Sequence, residues 1–198
     1  MALNPVLLIH GIDDTDAIFH KMIPYLQSQG WEVYSFSMIP NDGKAGLDRL
    51  AQQVADYVDK NFELEQAIDL IGFSMGGIIS RYYVQRLGGI DRVQRFITIS
   101  SPHQGTLTAY GRSNPGCIQM KPHSAFLNNL NQDVAQLERL NFTSIWTPLD
   151  LMILPANSSH LPIGKERKIP VGGHAWMVTD SRVLQAVAEA LLEPIRNP

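Results

Sequence analysis

The sequence predicts an α/β fold, a mostly parallel sheet with helices on both faces, and three observations carry the prediction. Short apolar or β-branched runs alternate with segments of helical period, the rhythm of repeated strand–helix–strand units. The 198 residues are 44% hydrophobic and 18% charged, enough for a sizeable core and too apolar for general disorder. No internal repeat, low-complexity stretch or interdomain linker interrupts them, so residues 1–198 read as one domain. In order, 6–9 and 32–37 read as strands, joined through a helix that Ser28-Gln29-Gly30 stops. Pro24 in that helix is tolerable only in its first turn. Leu47, Leu50, Val54, Tyr57 and Val58 recur at helical steps, giving a helix with one buried face. Residues 67–71 form a third strand, and 78–87 a helix stopped by Gly88-Gly89. Strands follow at 93–99, 143–146 and 167–171, then a last helix carrying Val183, Val187, Ala190 and Leu191 and ending at Pro194. The interval from about 106 to 141 breaks the rhythm and reads as an insertion.

Charge and cysteine content narrow the function. A net charge of −3 excludes an electrostatically driven nucleic-acid binder or a polybasic membrane anchor. The single Cys117 cannot form an internal disulfide and reads as a small, partly buried filler, and no cysteine–histidine cluster suggests zinc or another metal. No apolar run approaches the roughly 20 residues of a membrane span. The start Met1-Ala2-Leu3-Asn4-Pro5 lacks a basic leader region, so a cytoplasmic protein with at most transient lipid-surface contact is expected.

Gly72-Phe73-Ser74-Met75-Gly76 carries the chemistry. A bare GxSxG is only moderately specific, but here it follows an apolar strand and opens a helix, the setting of a nucleophile elbow. On so sharp a turn the residues two before and two after the serine crowd together and must lack a Cβ, as Gly72 and Gly76 do. The helix then aims its positive end at Ser74, where an oxyanion would form. His10-Gly11 closes the first strand, so the Ile12 amide is one candidate oxyanion donor and the Met75 amide the other. His10 itself reads as a structural residue that holds this loop.

A nucleophilic serine needs a base, and the base an orienting carboxylate. His20 and His123 read as exposed, and His103 precedes every candidate acid. His160 sits in a polar loop. His174 follows Gly172-Gly173 and the last strand, which puts it at the sheet's C-terminal edge beside Ser74, and Asp150 ends the segment after 143–146 at the same edge. Asp133 and Glu138 read as solvated charges of the insertion. In Asp13-Asp14-Thr15-Asp16, Thr15 or Asp16 is expected to cap a helix, and the acidic mouth to disfavour anionic substrates. Trp176 is a candidate lining residue of an acyl pocket.

Together His10-Gly11-Ile12, Gly72-Phe73-Ser74-Met75-Gly76-Gly77, Ser101-Pro102-His103-Gln104-Gly105-Thr106 and Gly173-His174 resemble the compact bacterial triacylglycerol lipases and esterases of the α/β-hydrolase superfamily, from about Asn4 to Leu192. The resemblance implies a reduced α/β-hydrolase fold of about six strands without two leading antiparallel strands. It implies hydrolysis of a small-molecule or lipid carboxylic ester with no cofactor, Ser74 as nucleophile, Asp150 as acid, His174 as base, and the Ile12 and Met75 amides as oxyanion hole. The smallest such lipases lack an insertion as long as 106–141, which reads as a helical cap or lid. Its stripe of Phe126, Leu130, Val134 and Leu137, breaking near Asn128-Asn129 and led by Pro122, is expected to govern access for long acyl chains. The same machinery serves an acyl-thioesterase; a silent lipid-binding relative is the non-enzymatic alternative. A neutral imidazole base and no metal predict that ester turnover falls on the acid side of a pH–rate profile and is insensitive to EDTA. Loss of turnover with chelator and its return with a divalent ion would contradict this.

Overall fold

The computed structural model describes residues 3–195; Met1, Ala2 and the last three residues, which belong to the expected 1–198 domain and to the reading of the N-terminus, lie outside them. Six strands, β1 (Val6–Ile9), β2 (Val33–Ser35), β3 (Ile68–Phe73), β4 (Val93–Ile99), β5 (Asn141–Trp146) and β6 (Lys165–Lys168), form one parallel sheet in the order β2-β1-β3-β4-β5-β6. Helices α2 (Leu47–Asn61) and α3 (Met75–Arg86) cover one face, and α1 (Met22–Ser28) and α6 (Ser181–Leu191) the other. Alternation along β1 serves both layers: Leu7 and Ile9 face the α2–α3 side, Val6 and Leu8 the α1–α6 side. The chain leaves β1 towards one edge and returns through β3 towards the other. This switch point sets the carboxyl ends of β1 and β3 side by side, where open α/β sheets hold their sites. Among the described residues no helix is long and apolar enough to cross a membrane.

Most expected elements lie within a few residues of their places, and the exceptions have physical causes. Strand β6 is the charged run Lys165-Glu166-Arg167-Lys168, earlier than the apolar 167–171, because it is an edge strand whose side chains stay exposed. Ile169 and Val171 leave the strand and pack beneath the α6 face. Helix α3 begins directly after Ser74, and Pro24 does sit in the first turn of α1. Thr15 precedes a short 3-10 turn (Asp16–Phe19) without a side-chain cap, and Asp16 instead hydrogen-bonds Ser37 Oγ at 2.5 Å, so the expected cap is absent there.

The insertion contains a 3-10 turn (Leu107–Gly111), α4 (Pro115–Gln119), α5 (Ala125–Gln132) and a second 3-10 turn (Val134–Arg139). Its break falls at Asp133, not at Asn128-Asn129; Pro122 precedes α5, which Ser124 caps, and the proline in a first turn is Pro115. The second half is nailed to α3. Arg81, fully buried and pushed down to about 9 by burial, donates to the Leu130 carbonyl at 2.7 Å. Arg86 and Gln85 hold Asp133, which is therefore a tie and not a solvated charge. Leu130 is fully buried and Phe126 stacks on Tyr82, ring centroids 5.3 Å apart. The stripe thus anchors the insertion to the body and does not face the site.

Near the amino ends of the two central strands, Asp69 is fully buried on β3 and pairs with Arg95 on β4 at 3.0 Å. Burial pushes the Asp69 carboxyl up, against the pull of Arg95 and Asn4. Replacing Arg95 by Met leaves that carboxylate without its cation and is expected to cost about 3 kcal/mol in urea unfolding. A carboxyl raised in the folded state stabilises only while protonated, so the deficit should grow as pH rises from about 4 towards neutrality. A deficit that shrinks over that range would contradict this.

Candidate active site

Ser74 stands between β3 and α3 at φ 53°, ψ −124°, a region that side chains with a Cβ rarely occupy. Its amide donates to the Ile99 carbonyl at 2.8 Å, a last rung of the β3–β4 ladder, so the sheet itself holds the strained turn. A Cβ on Gly72 would strike the backbone of Gly77, and one on Gly76 the carbonyl oxygens of Ile9 and His10. Gly76 is small because the first turn of α3 lies on the end of β1, and it also crowds Gly72, where a Cβ would come within 2.8 Å of the Gly76 carbonyl carbon. Gly77 is as constrained: a Cβ there would collide with Ser101 Oγ.

The loop after β1 runs over the nucleophile, a Cβ on Gly11 lying only 3.0 Å from that of Ser74. His10 holds this loop. The Met38 amide donates to its Nε2 at 2.9 Å, which leaves the proton on Nδ1 to donate to the Gly11 carbonyl at 2.8 Å, and burial keeps the ring below its usual pKa and neutral. Asn41 clamps the next turn, its carbonyl accepting from the Asp13 amide at 2.8 Å and its Nδ2 donating to the Asp14 carbonyl at 2.7 Å. Among the described residues neither the Ile12 nor the Met75 amide takes part in a hydrogen bond. The Met75 amide opens α3, where helix amides have no partner of their own.

Asp150 and His174 meet at the carboxyl end of the sheet, with Nδ1 to Oδ2 at 2.7 Å. The other oxygen of Asp150 accepts from the amides of Met152 and Ile153, each at 2.9 Å. Burial alone would raise this carboxyl; the bond and charge of His174 and the two amides outweigh it and hold it below its usual value. Their loops are stitched together by Thr147, whose hydroxyl donates to the Val171 carbonyl at 2.7 Å and accepts from the Val171 amide at 3.0 Å. With Nδ1 engaged, Nε2 is the nitrogen left for a substrate or a serine. The ring packs on Phe73, which adjoins Ser74, at 4.9 Å between centroids.

The remaining histidines lie elsewhere. His20 and His123 are exposed, His160 lies 3.3 Å from Glu166 on β6, and His103 is fully buried against Thr98. Among the described residues no group of His, Cys, Asp and Glu side chains is placed to hold a metal. Trp176 is 62% exposed on the backbone of Gly172 and Gly173, and so neither lines a pocket nor packs in the core.

A cleft of about 530 Å³, counted to its open mouth, leads from Ser74 under the first half of the insertion. Ile12, Pro102, Ala109, Cys117, Met120 and Ile153 make it apolar, and Asp13 and Arg112 pair across its rim at 2.5 Å. Its roof is tied on both flanks. Thr106 and Thr108 donate to the Met152 carbonyl at 2.9 and 2.6 Å; Gly116 and Asn114 bond the Gly43 and Asp42 carbonyls, each at 2.9 Å. Sequence periodicity pointed to α5 for this role, because the true lining comes from short turns without a stripe; Cys117, read as filler, is one of its walls.

A family model described as palmitoyl protein thioesterase matches residues 5–138. A triacylglycerol lipase of Pseudarthrobacter phenanthrenivorans is 32% identical over 111 residues, 52% of this chain and 34% of that protein. Palmitoyl-protein thioesterase 3 of Dictyostelium discoideum is 25% identical over 109 residues, 52% of this chain and 37% of that protein. The matched stretch thus spans about a third of these relatives. Among solved structures, Aspergillus fumigatus lipase B superposes with a TM-score of 0.81 at 17% identity, over 99% of this chain and 54% of that one. The mature Bacillus licheniformis lipase BlEst2 gives 0.76 at 14% identity, over 96% of this chain and 92% of that one. The fold is that of the α/β-hydrolase lipases.

Proposed function

The chain belongs to the palmitoyl protein thioesterase family of α/β hydrolases, and from that premise we propose that it is a serine hydrolase that cleaves carboxylic esters of lipids through an acyl-enzyme. The Asp150–His174 pair at the edge where the strained Ser74 turn lies is the observation that carries the reading. Ser74 Oγ attacks the acyl carbonyl while His174 Nε2 takes its proton, and Asp150 holds the imidazole through Nδ1. The carbonyl oxygen, now negative, is received by the amides of Ile12 and Met75. His174 then returns the proton to the departing oxygen, and water brought in by the same base releases the acid. A second reading, cleavage of acyl thioesters, is favoured by the family match; the departing atom is then sulfur and every other step is unchanged.

The acyl chain is assigned to the apolar cleft beside Ser74, with the 106–141 segment as a fixed cap of a single catalytic domain. Ser74→Ala and His174→Ala are each expected to lower kcat roughly 10⁶-fold, and Asp150→Asn about 10⁴-fold, with unchanged circular dichroism. Near-normal turnover in His174→Ala would overturn the assignment of the base. Cys117→Phe is expected to narrow the cleft and to reduce kcat/KM for a dodecanoyl ester at least about tenfold more than for a butanoyl ester, the discrimination that pocket shape provides. Equal losses on both would remove the cleft from the acyl role.

A further inference from the structure

The acidic run after the first strand separates into three different environments. Asp13 pairs with Arg112 across the cleft rim at 2.5 Å, and Asp16 is engaged by Ser37. Asp14 remains. Its carboxylate, half-buried, accepts no hydrogen bond among the described residues, and it lies against the nucleophile: one Cβ position on Gly11 would be 3.2 Å from Asp14 Oδ2 and 3.0 Å from Ser74 Cβ. A single methyl-sized space thus separates this carboxylate from the side chain of Ser74.

Which half of a substrate it faces follows from the chemistry. His174 must deliver its proton to the departing atom, so the leaving group lies on the His174 side of Ser74. Asp14 is absent from the walls of the apolar cleft, which Ile12, Met120 and Ile153 line, and among the histidines its carboxyl feels His10 first and His174 next. The loop that delivers His174 also presents Trp176, 62% exposed, whose indole is a face for a cation.

We infer that Asp14 is a specificity-determining residue, and that it selects acyl esters or thioesters whose alcohol or thiol part carries a positive charge near the scissile bond. This rests on the hydrolase reading above. Arg112 is already committed to Asp13, so among the charged groups at this turn the uncompensated one is negative. Burial pushes the Asp14 carboxyl up, His10 and His174 draw it down and Asp13 raises it.

Three hexanoyl thioesters of similar size separate charge from shape: those of thiocholine, of 3,3-dimethylbutanethiol and of 3-mercaptopropionate, all read by the released thiol at pH 8 and low salt. The wild type is expected to favour them in the order cationic, neutral, anionic in kcat/KM. Asp14→Asn should shrink the cationic-to-anionic ratio about tenfold, the effect of one nearby charge in a part-wet site, and Asp14→Glu should keep most of it. In the wild type alone, raising salt from about 0.02 to about 0.5 M should compress the same ratio by screening, a readout that needs no variant to fold. A ratio unchanged in Asp14→Asn, or a salt-independent ratio in the wild type, overturns the inference while leaving the hydrolase reading intact. A wild type that cleaves no thioester or ester overturns the hydrolase reading and this inference with it.

Discussion

The geometry of the site depends on one strained turn. A serine at φ 53° is unfavourable by itself and persists only where its surroundings leave no alternative. Here the parallel sheet does so: β3 is buried between β1 and β4, and the Ser74 amide is fixed on the Ile99 carbonyl at 2.8 Å. Gly72, Gly76 and Gly77 let α3 descend onto the ends of β1 and β4 without room for a single methyl group. Relaxing the turn would therefore mean lifting α3 off the core, whose buried residues Met75, Ile78, Ile79 and Val84 belong to the same helix. Strain at one residue is balanced by burial of many.

The polar groups of the site are held by neighbours committed in advance. His10 is locked neutral between Met38 and Gly11, and Asn41 fixes the following turn, so the chain on either side of the Ile12 amide is held. Asp150 is surrounded by donors that favour its charged form, and Thr147 binds its loop to the chain that leads to His174. The insertion follows the same logic, tied to the loops around the site on its first half and to α3 on its second. A roof so fastened joins the walls of the cleft to the body of the domain.

Much of this was legible in the sequence because sharp turns and buried strands restrict residue type. Glycines flanking Ser74 announce the elbow, and the alternation of apolar runs announces the sheet. Pairing of Asp150 with His174 followed from their positions after the last strands. What was hidden has a common cause: edge and connecting segments carry no periodicity. Strand β6 is entirely charged, and the apolar residues after it imitate a strand they do not join. The stripe around Leu130 is a true helical stripe, yet it faces α3, and no pattern of spacing says which neighbour a stripe will meet. Asp13, Asp14 and Asp16 look alike in the sequence; what distinguishes them is that Arg112 and Ser37, distant in the chain, engage Asp13 and Asp16 but not Asp14.

Covalent labelling tests the central claim, that this turn presents Ser74 as a nucleophile. The folded protein is treated with a fluorophosphonate and the adduct is located by peptide mass spectrometry. One equivalent on Ser74, and none once the protein is unfolded in urea, is the result the strained turn predicts. A folded protein that takes no label, or takes it on a different serine such as Ser101, would contradict it.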